Sequence, residues 1–476
     1  MKREKMKENF SEWFNEAIER AEIIETRYPV KGLYVWLPYG LKLRNNIFSV
    51  LRKLLEDSGH KEVLFPLLIP ENLFRMEAEH IRGFEGQVYW VTRGGHDELD
   101  VRLALRPTSE TSMYPMFSLW IRSHADLPLK VYQIVNVFRY ETKMTKPLIR
   151  LREVTTFKEA HTAHATAEEA EKQVKEAVEI YKRFFEELGI PFVVTKRPRW
   201  DTFAGAVFSI AFDTLSPDGR TLQIGTVHNL GQNFAKVYDI KYETPEGSHS
   251  YVYQTCYGIS ERAVAATIMI HGDDLGLCLP PNVAPIQVVI VPIYYKSNVA
   301  QVMDRAKSVY NELVREGLRA HIDERDLRPG NKFYYWERRG VPLRIEIGPE
   351  DVANNRLTVV PRHTGKRMII PLKDAGKKIK SMLSEIGEEM REKARKMFQE
   401  SIFEVANLDE AKGIIEKRGG IVRMWWCGKE DCGKKIEEIT TGSLLGEEID
   451  GGGGATSPCV VCSGSGTKKI LAAKTY

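Results

Sequence analysis

The feature that most restricts the fold of this chain is a change of hydrophobic rhythm at Leu279-Pro280-Pro281-Asn282. Two consecutive prolines fix φ and remove two main-chain donors, so neither a helix nor a central strand runs through them. Beyond them a continuous apolar strand, Ile286–Pro292, leads to a helix over about Val299–Glu316 and to strands at Arg319–Ile322, Leu343–Ile347 and Leu357–Val360. Strand–helix alternation over roughly 100 residues reads as a small α/β domain. Before the prolines no such alternation exists. A helix from Trp13 to Ile24, an extended stretch Lys31–Pro38 and a helix over about Gly40–Ser58 precede strand-like segments at Val88–Thr92, Val101–Leu105 and Val131–Tyr140. A long helix begins at Thr166, where Thr166 and Glu169 have capping-box spacing and Val174, Ala177, Val178, Tyr181, Phe184 and Phe185 form a buried stripe. Strands around Phe192–Thr195, Val207–Thr214 and Thr221–Val227 follow. This irregular order implies a largely antiparallel sheet flanked by helices, an α+β arrangement. A charged helix over about Lys373–Phe398, of the kind that bridges domains, leads to a last unit with four cysteines and the glycine run Gly451–Gly454. The expected division is 1–281, 282–398 and 399–476.

Hydrophobic residues make up 43% of the 476, enough for a large core, and the net charge is only +4. That balance neither demands nor excludes a nucleic-acid partner; any basic surface must be local. No apolar run approaches the roughly 20 residues that span a bilayer, and the charged amino terminus cannot serve as a signal-peptide core. A cytoplasmic protein without a membrane partner is expected.

Cys427 and Cys432 are separated by four residues, and Cys459 and Cys462 by two. Two close pairs joined by a long loop suit a four-thiolate tetrahedral site for structural Zn2+. The competing reading is four unliganded thiols. Cys256 and Cys278 stand alone and read as buried small hydrophobes.

Phe138-Arg139-Tyr140-Glu141 ends a strand, the polar loop Thr142–Pro147 follows, and Arg150 and Arg152 open a second strand leading to Phe157. Arginines on both arms of a hairpin suit a polyphosphate, because guanidinium binds phosphate oxygens bidentately and never loses its charge. On these residues alone an ordinary charged hairpin is the stronger reading. Gly258-Ile259-Ser260-Glu261-Arg262 places an arginine at a helix start, and Arg106-Pro107-Thr108-Ser109-Glu110 displays a hydroxyl and a carboxylate that suit an ammonium group, or else cap the helix Thr111–Trp120. Gln223 to Phe234 is dense in uncharged hydrogen-bonding groups. No P-loop, no dinucleotide-binding glycine pattern, no GxSxG and no HExxH occurs, so any ATP must be held another way.

Together these strings resemble the three signature motifs of class II aminoacyl-tRNA synthetases: the helix after Gly40, the Phe138–Glu141 hairpin, and Gly258 to Arg262. Arg106–Glu110, Lys158-Glu159-Ala160-His161, Phe203-Ala204-Gly205-Ala206 and His228 to Phe234 are similar to prolyl-tRNA synthetase signatures, of the archaeal/eukaryotic type with a zinc-bearing tail. The resemblance implies ATP-dependent activation of L-proline and its transfer to tRNA(Pro), with Mg2+ accompanying ATP, and a homodimer. It implies Arg139, Glu141 and Arg262 as catalytic residues. Thr108, Glu110, Arg139, Phe157, His161, Phe203 and His228 would meet proline. Arg139, Arg150, Leu151, Gln223, Thr226, Ser260 and Arg262 would meet ATP. Arg344 and Glu346 are candidates for reading the anticodon. The chain departs from the family at Val207 and Phe208, where many relatives carry an acidic residue and an aromatic. Alanine, smaller than proline, should also be activated, with cysteine an open question. A synthetase for threonine, histidine or glycine, and a non-catalytic tRNA-binding paralogue, are the alternatives.

Overall fold

The computed structural model describes residues 2–76, 85–142, 144–449 and 457–476; the glycine run Gly451–Gly454 lies outside them. Its frame is an eleven-stranded sheet. Seven of its strands come from the first unit: Lys61–Glu62 at one edge, then Leu129–Phe138, Glu153–His164, Tyr253–Ser260, Thr221–Gly231, Phe208–Leu215 and Val193–Lys196. Ser443–Glu448, Lys468–Ala473, Ile421–Trp426 and Ile402–Glu404 continue the order. Pairing is antiparallel throughout except at the two outermost steps. The expected α+β arrangement is therefore present, with one addition. The tail does not stand apart: its strands extend the same sheet, joined by Glu447 opposite Lys196 and Glu448 opposite Thr195. Gly446 allows the seam, since a Cβ there would lie 2.1 Å from the Lys196 carbonyl oxygen and φ is +118°.

One face of the sheet is covered by helices Pro38–Asp57, Ala167–Glu187 and Arg262–His271, whose apolar sides meet Ala160, Ile224, Val227, Tyr257 and Ile259 in the main core. Pro38 at the first turn of its helix places the start two residues earlier than the apolar pattern suggested. Thr166 caps the long helix as its spacing predicted, accepting from Glu169 N–H, while the Glu169 carboxylate reaches back to Ala165 N–H. The first long helix is Phe10–Arg20, shorter than expected, because Ile24 turns into a short strand against Trp36. Ahead of it, Arg3 clasps the end of the Arg262–His271 helix, donating to the carbonyls of Met269, Ile270 and Gly272 at 2.7–2.9 Å.

The second unit is a five-stranded mixed sheet, with Val288–Pro292 central between parallel neighbours Ala320–Ile322 and Leu343–Ile347. The helix Ala375–Gln399 packs Ile379, Leu383 and Ile386 on this domain and inserts Phe398 among tail residues Ile421 and Leu471. It bridges the units, as its charge pattern suggested. Among the described residues no helix is long and apolar enough to cross a membrane.

Candidate active site

Sheet register builds the site. Ser209, His228, Cys256 and His161 are successive cross-strand partners, and Thr226, Gly258 and Glu159 form the next row on the same face. Ser260 and Phe157 form a third. Side chains two apart along a strand share a face. The alternate residues Lys158, Tyr257 and Ile259 point the other way; Lys158 Nζ is buried there against the Tyr181 hydroxyl at 2.7 Å. Gly258 keeps the middle of the floor open, since a Cβ there would press on the Phe157 ring at 3.1 Å.

Above this floor lies a cavity of about 380 Å³. Every residue singled out for proline or ATP lines it: Thr108, Glu110, Arg139, Glu141, Arg150, Leu151, Phe157, His161, Phe203, Gln223, Thr226, His228, Ser260 and Arg262. Arg139 Nε donates to Pro107 O at 3.1 Å, and its guanidinium lies 5.7 Å from the Phe157 ring. Arg262 opens its helix and donates to Ile149 O at 2.9 Å and Gln223 O at 3.1 Å. Burial, with Arg139 and Arg150 adding repulsion, pulls Arg262 down to about 10. Arg139 and Arg150 close enough to disfavour the charge of Arg262 make a cavity that favours a polyanion. Arg150 and Arg152 precede the second strand, which begins at Glu153, because Leu148 adopts a left-handed conformation (φ +58°) and folds the hairpin tip back.

At the other end the surroundings change. Ser209 Oγ and His228 Nδ1 are 2.7 Å apart, and Phe203 lies on the His228 ring at 4.7 Å. Burial, with His161 adding to it, lowers His228 to about 3, so it is neutral in the physiological range. Thr108 Oγ1 donates to Glu110 at 2.5 Å. Ser109 precedes the Glu110–Trp120 helix but does not cap it; its hydroxyl and N–H both donate to Glu159, at 2.5 and 3.0 Å. The helix-cap reading of that turn is thereby set aside, and the turn is fastened to the floor instead.

Sequence reasoning passed over Glu159, Ser209, Cys256 and Glu261, which also line the cavity. Glu159 shares a strand face with Phe157 and His161, and Cys256 with Gly258 and Ser260, a placement that pairing in the sheet reveals. In the second unit Arg344 and Glu346 are buried, 9% and 1% exposed. Arg344 donates to Glu346 at 3.1 Å and Glu337 at 2.7 Å, and Arg367 holds the other Glu346 oxygen. The structure places both inside an ion-pair network.

The four tail cysteines converge, their sulfurs within 4.8 Å of one another and Cys427 and Cys462 at 3.8 Å. That separation matches the roughly 3.8 Å edge of a tetrahedron with 2.3 Å zinc–sulfur bonds.

An antiparallel sheet with an arginine hairpin and an arginine-headed helix around one cavity defines a class II aminoacyl-tRNA synthetase. Family models for the class II synthetase core (G, H, P, S and T), an anticodon-binding domain and the carboxyl-terminal domain of prolyl-tRNA synthetases match residues 89–271, 287–382 and 408–476. Proline–tRNA ligases of Methanothermobacter thermautotrophicus and Methanopyrus kandleri are each 54% identical, over 96% and 98% of this chain and 94% and 96% of theirs. The solved prolyl-tRNA synthetase of Giardia lamblia, in complex with prolyl-adenylate, superimposes with a TM-score of 0.96 at 37% identity, covering 99% of both chains. The chain belongs to the prolyl-tRNA synthetase family.

Proposed function

We infer that the chain is a proline–tRNA ligase, which activates L-proline with ATP and transfers it to tRNA(Pro). One observation carries the reading: Arg139, Arg150 and Arg262 share a cavity with the polar slot of Thr108, Glu110 and His228. The proline nitrogen would be held by Thr108 and Glu110, its ring between Phe157, Phe203 and neutral His228 beside His161. Arg139 would hold its carboxylate and the α-phosphate, with Glu141 alongside. Arg150 and Arg262 would grip the γ-phosphate end of a folded ATP, and Leu151, Gln223 and Thr226 its base and sugar.

Activation is attack of the proline carboxylate on the α-phosphorus, with pyrophosphate leaving. The nucleophile is already an anion and needs no general base. The barrier is charge gathered on phosphate oxygens, which preorganised guanidiniums offset in a site shielded from water. Ser260, Gln223 and Glu261 supply an oxygen-only donor set suited to Mg2+, which would neutralise phosphate charge when bound with ATP. In transfer, a ribose hydroxyl of the tRNA end attacks the mixed anhydride, and an adenylate phosphate oxygen takes its proton.

The division into 1–281 for catalysis, 282–398 for the anticodon and 399–476 for a zinc-bearing tail follows from the same reading, as does a cytoplasmic setting. Cys427, Cys432, Cys459 and Cys462 would hold structural Zn2+. A homodimer is supported by an apolar surface: Leu64, Leu67 and Leu68 are exposed beside Met116, Leu119 and Trp120, and Trp120 packs on Phe65 at 5.6 Å. Pyrophosphate exchange against all twenty amino acids tests the function. Proline should dominate, with alanine roughly 10- to 200-fold below it per methylene lost. Exchange led by threonine, histidine or glycine would overturn the assignment.

A further inference from the structure

The slot also holds a second chemistry. Glu110 comes from a helix start, His161 and Cys256 from paired strands. One ligand-type atom of each lies within 4.8 Å of the other two, and the residues are 2%, 1% and 4% exposed. His161 Nδ1 is engaged by the Tyr114 hydroxyl at 3.0 Å. Its Nε2 is buried without a hydrogen-bond partner; the nearest acid oxygen, on Glu159, is 3.7 Å away. A ring nitrogen buried in this way is left short of a hydrogen bond, which a species accepting its lone pair would make good. With a proton on Nδ1 facing Tyr114, Nε2 is the lone-pair nitrogen, the arrangement by which a hydrogen-bonded imidazole serves a metal.

We propose that Glu110, His161 and Cys256 form a three-ligand site for a zinc-class divalent cation inside the amino-acid slot, and that such an ion keeps proline out of the empty enzyme. The proposal rests on the reading that Glu110 receives the proline nitrogen. A nitrogen, sulfur and oxygen donor set selects zinc-like ions over magnesium or calcium, which take oxygen ligands. Ligand-to-ligand edges in such a site run roughly 3.3–3.8 Å, so small side-chain rotations close the trio around an ion. Three protein ligands leave one position open, toward the cavity. On binding, the ion sheds water and the Cys256 thiol gives up its proton to solvent; nothing is oxidised or reduced. The ion and the proline ammonium then compete for the Glu110 carboxylate.

The test is a cobalt titration of full-length enzyme whose tail cysteines are already filled with zinc. Without substrates, one further equivalent of Co2+ should bind, with visible d–d bands and a thiolate-to-cobalt charge-transfer band. Saturating proline should abolish both, and Cys256→Ser should remove the charge-transfer band. In exchange assays, added Zn2+ should raise the apparent KM for proline at least tenfold with kcat unchanged. Failure of the wild-type enzyme to take up the extra equivalent overturns the metal site, as does a charge-transfer band that survives in Cys256→Ser. Bands that proline does not displace overturn the competition. Glu110→Gln, read by the KM for proline alone, tests the slot separately. Cobalt silence with a raised KM refutes only the metal site, whereas an unchanged KM refutes the reading beneath it.

Discussion

In the catalytic cavity, Arg139 and Arg262 donate to main-chain carbonyls, and Arg262 is pulled down to about 10 by burial and by its arginine neighbours. In the anticodon domain, Arg344 is clamped by two carboxylates, and Arg325 donates to Asp323 at 2.6–2.8 Å. Burial pushes the Asp323 carboxyl upward, but Arg325 and Trp336 outweigh it and hold it at about 2. The same side chain thus serves two ends. Where carboxylates neutralise it, it braces a fold. Where burial and neighbouring arginines outweigh the nearby carboxylates, as at Arg262, it keeps an attraction for an anion.

Substitution should separate the two sets. Arg139→Ala should lower proline-dependent pyrophosphate exchange by about 10²–10³, or roughly 3–4 kcal/mol of transition-state stabilisation, while urea melting stays near wild type. A fully active variant would break the distinction at its catalytic end. Arg344→Ala should do the reverse, costing about 3 kcal/mol of stability by leaving Glu346 and Glu337 short of a partner, with exchange per folded molecule retained. A melt unchanged in urea would show that the network braces nothing.

Glu261 sharpens the contrast within the cavity. Burial is the dominant influence and raises its pKa to about 7, against the bonds from Thr155 and Thr156 and the nearby Arg44. The folded protein therefore binds this proton more tightly than the unfolded chain. Stability should fall as pH rises from about 4.5 to about 7 and level off above, by up to about 3 kcal/mol. Glu261→Gln should flatten that slope in melts taken across the range; an equally steep slope in the variant would locate the effect elsewhere. The smallest change should come from Arg367→Ala. Its guanidinium is 66% exposed although it binds the same Glu346 as Arg344, so less than about 1 kcal/mol is expected. A larger loss would mean that exposure does not set the worth of these pairs.

The fold was legible where hydrophobic rhythm is local. Leu343–Ile347 alternates apolar and charged residues and is a strand with those bounds. Seams between distant segments were not: nothing around Ser443 or Val193 announces that they pair, because antiparallel partners are chosen by long-range packing. The site was legible through its strings of unusual residues, all of which reach one cavity. Its hidden members, Glu159 and Cys256, sit in strands whose burial on both faces masks the alternation that would expose them. The burial of Arg344 and Glu346 was not legible, because charge in a sequence suggests surface, and here opposite charges on one strand face neutralise each other indoors.

The grip of Arg3 on the Met269, Ile270 and Gly272 carbonyls reaches further than the helix end it closes. That helix is a short rigid rod with Arg262 at its opposite tip. The leading segment of the polypeptide therefore acts as an anchor bolt for the arm that carries Arg262, proposed above to grip phosphate. Trimming a handful of residues far from any substrate would slacken the arm's footing and register at the nucleotide before it registered anywhere else.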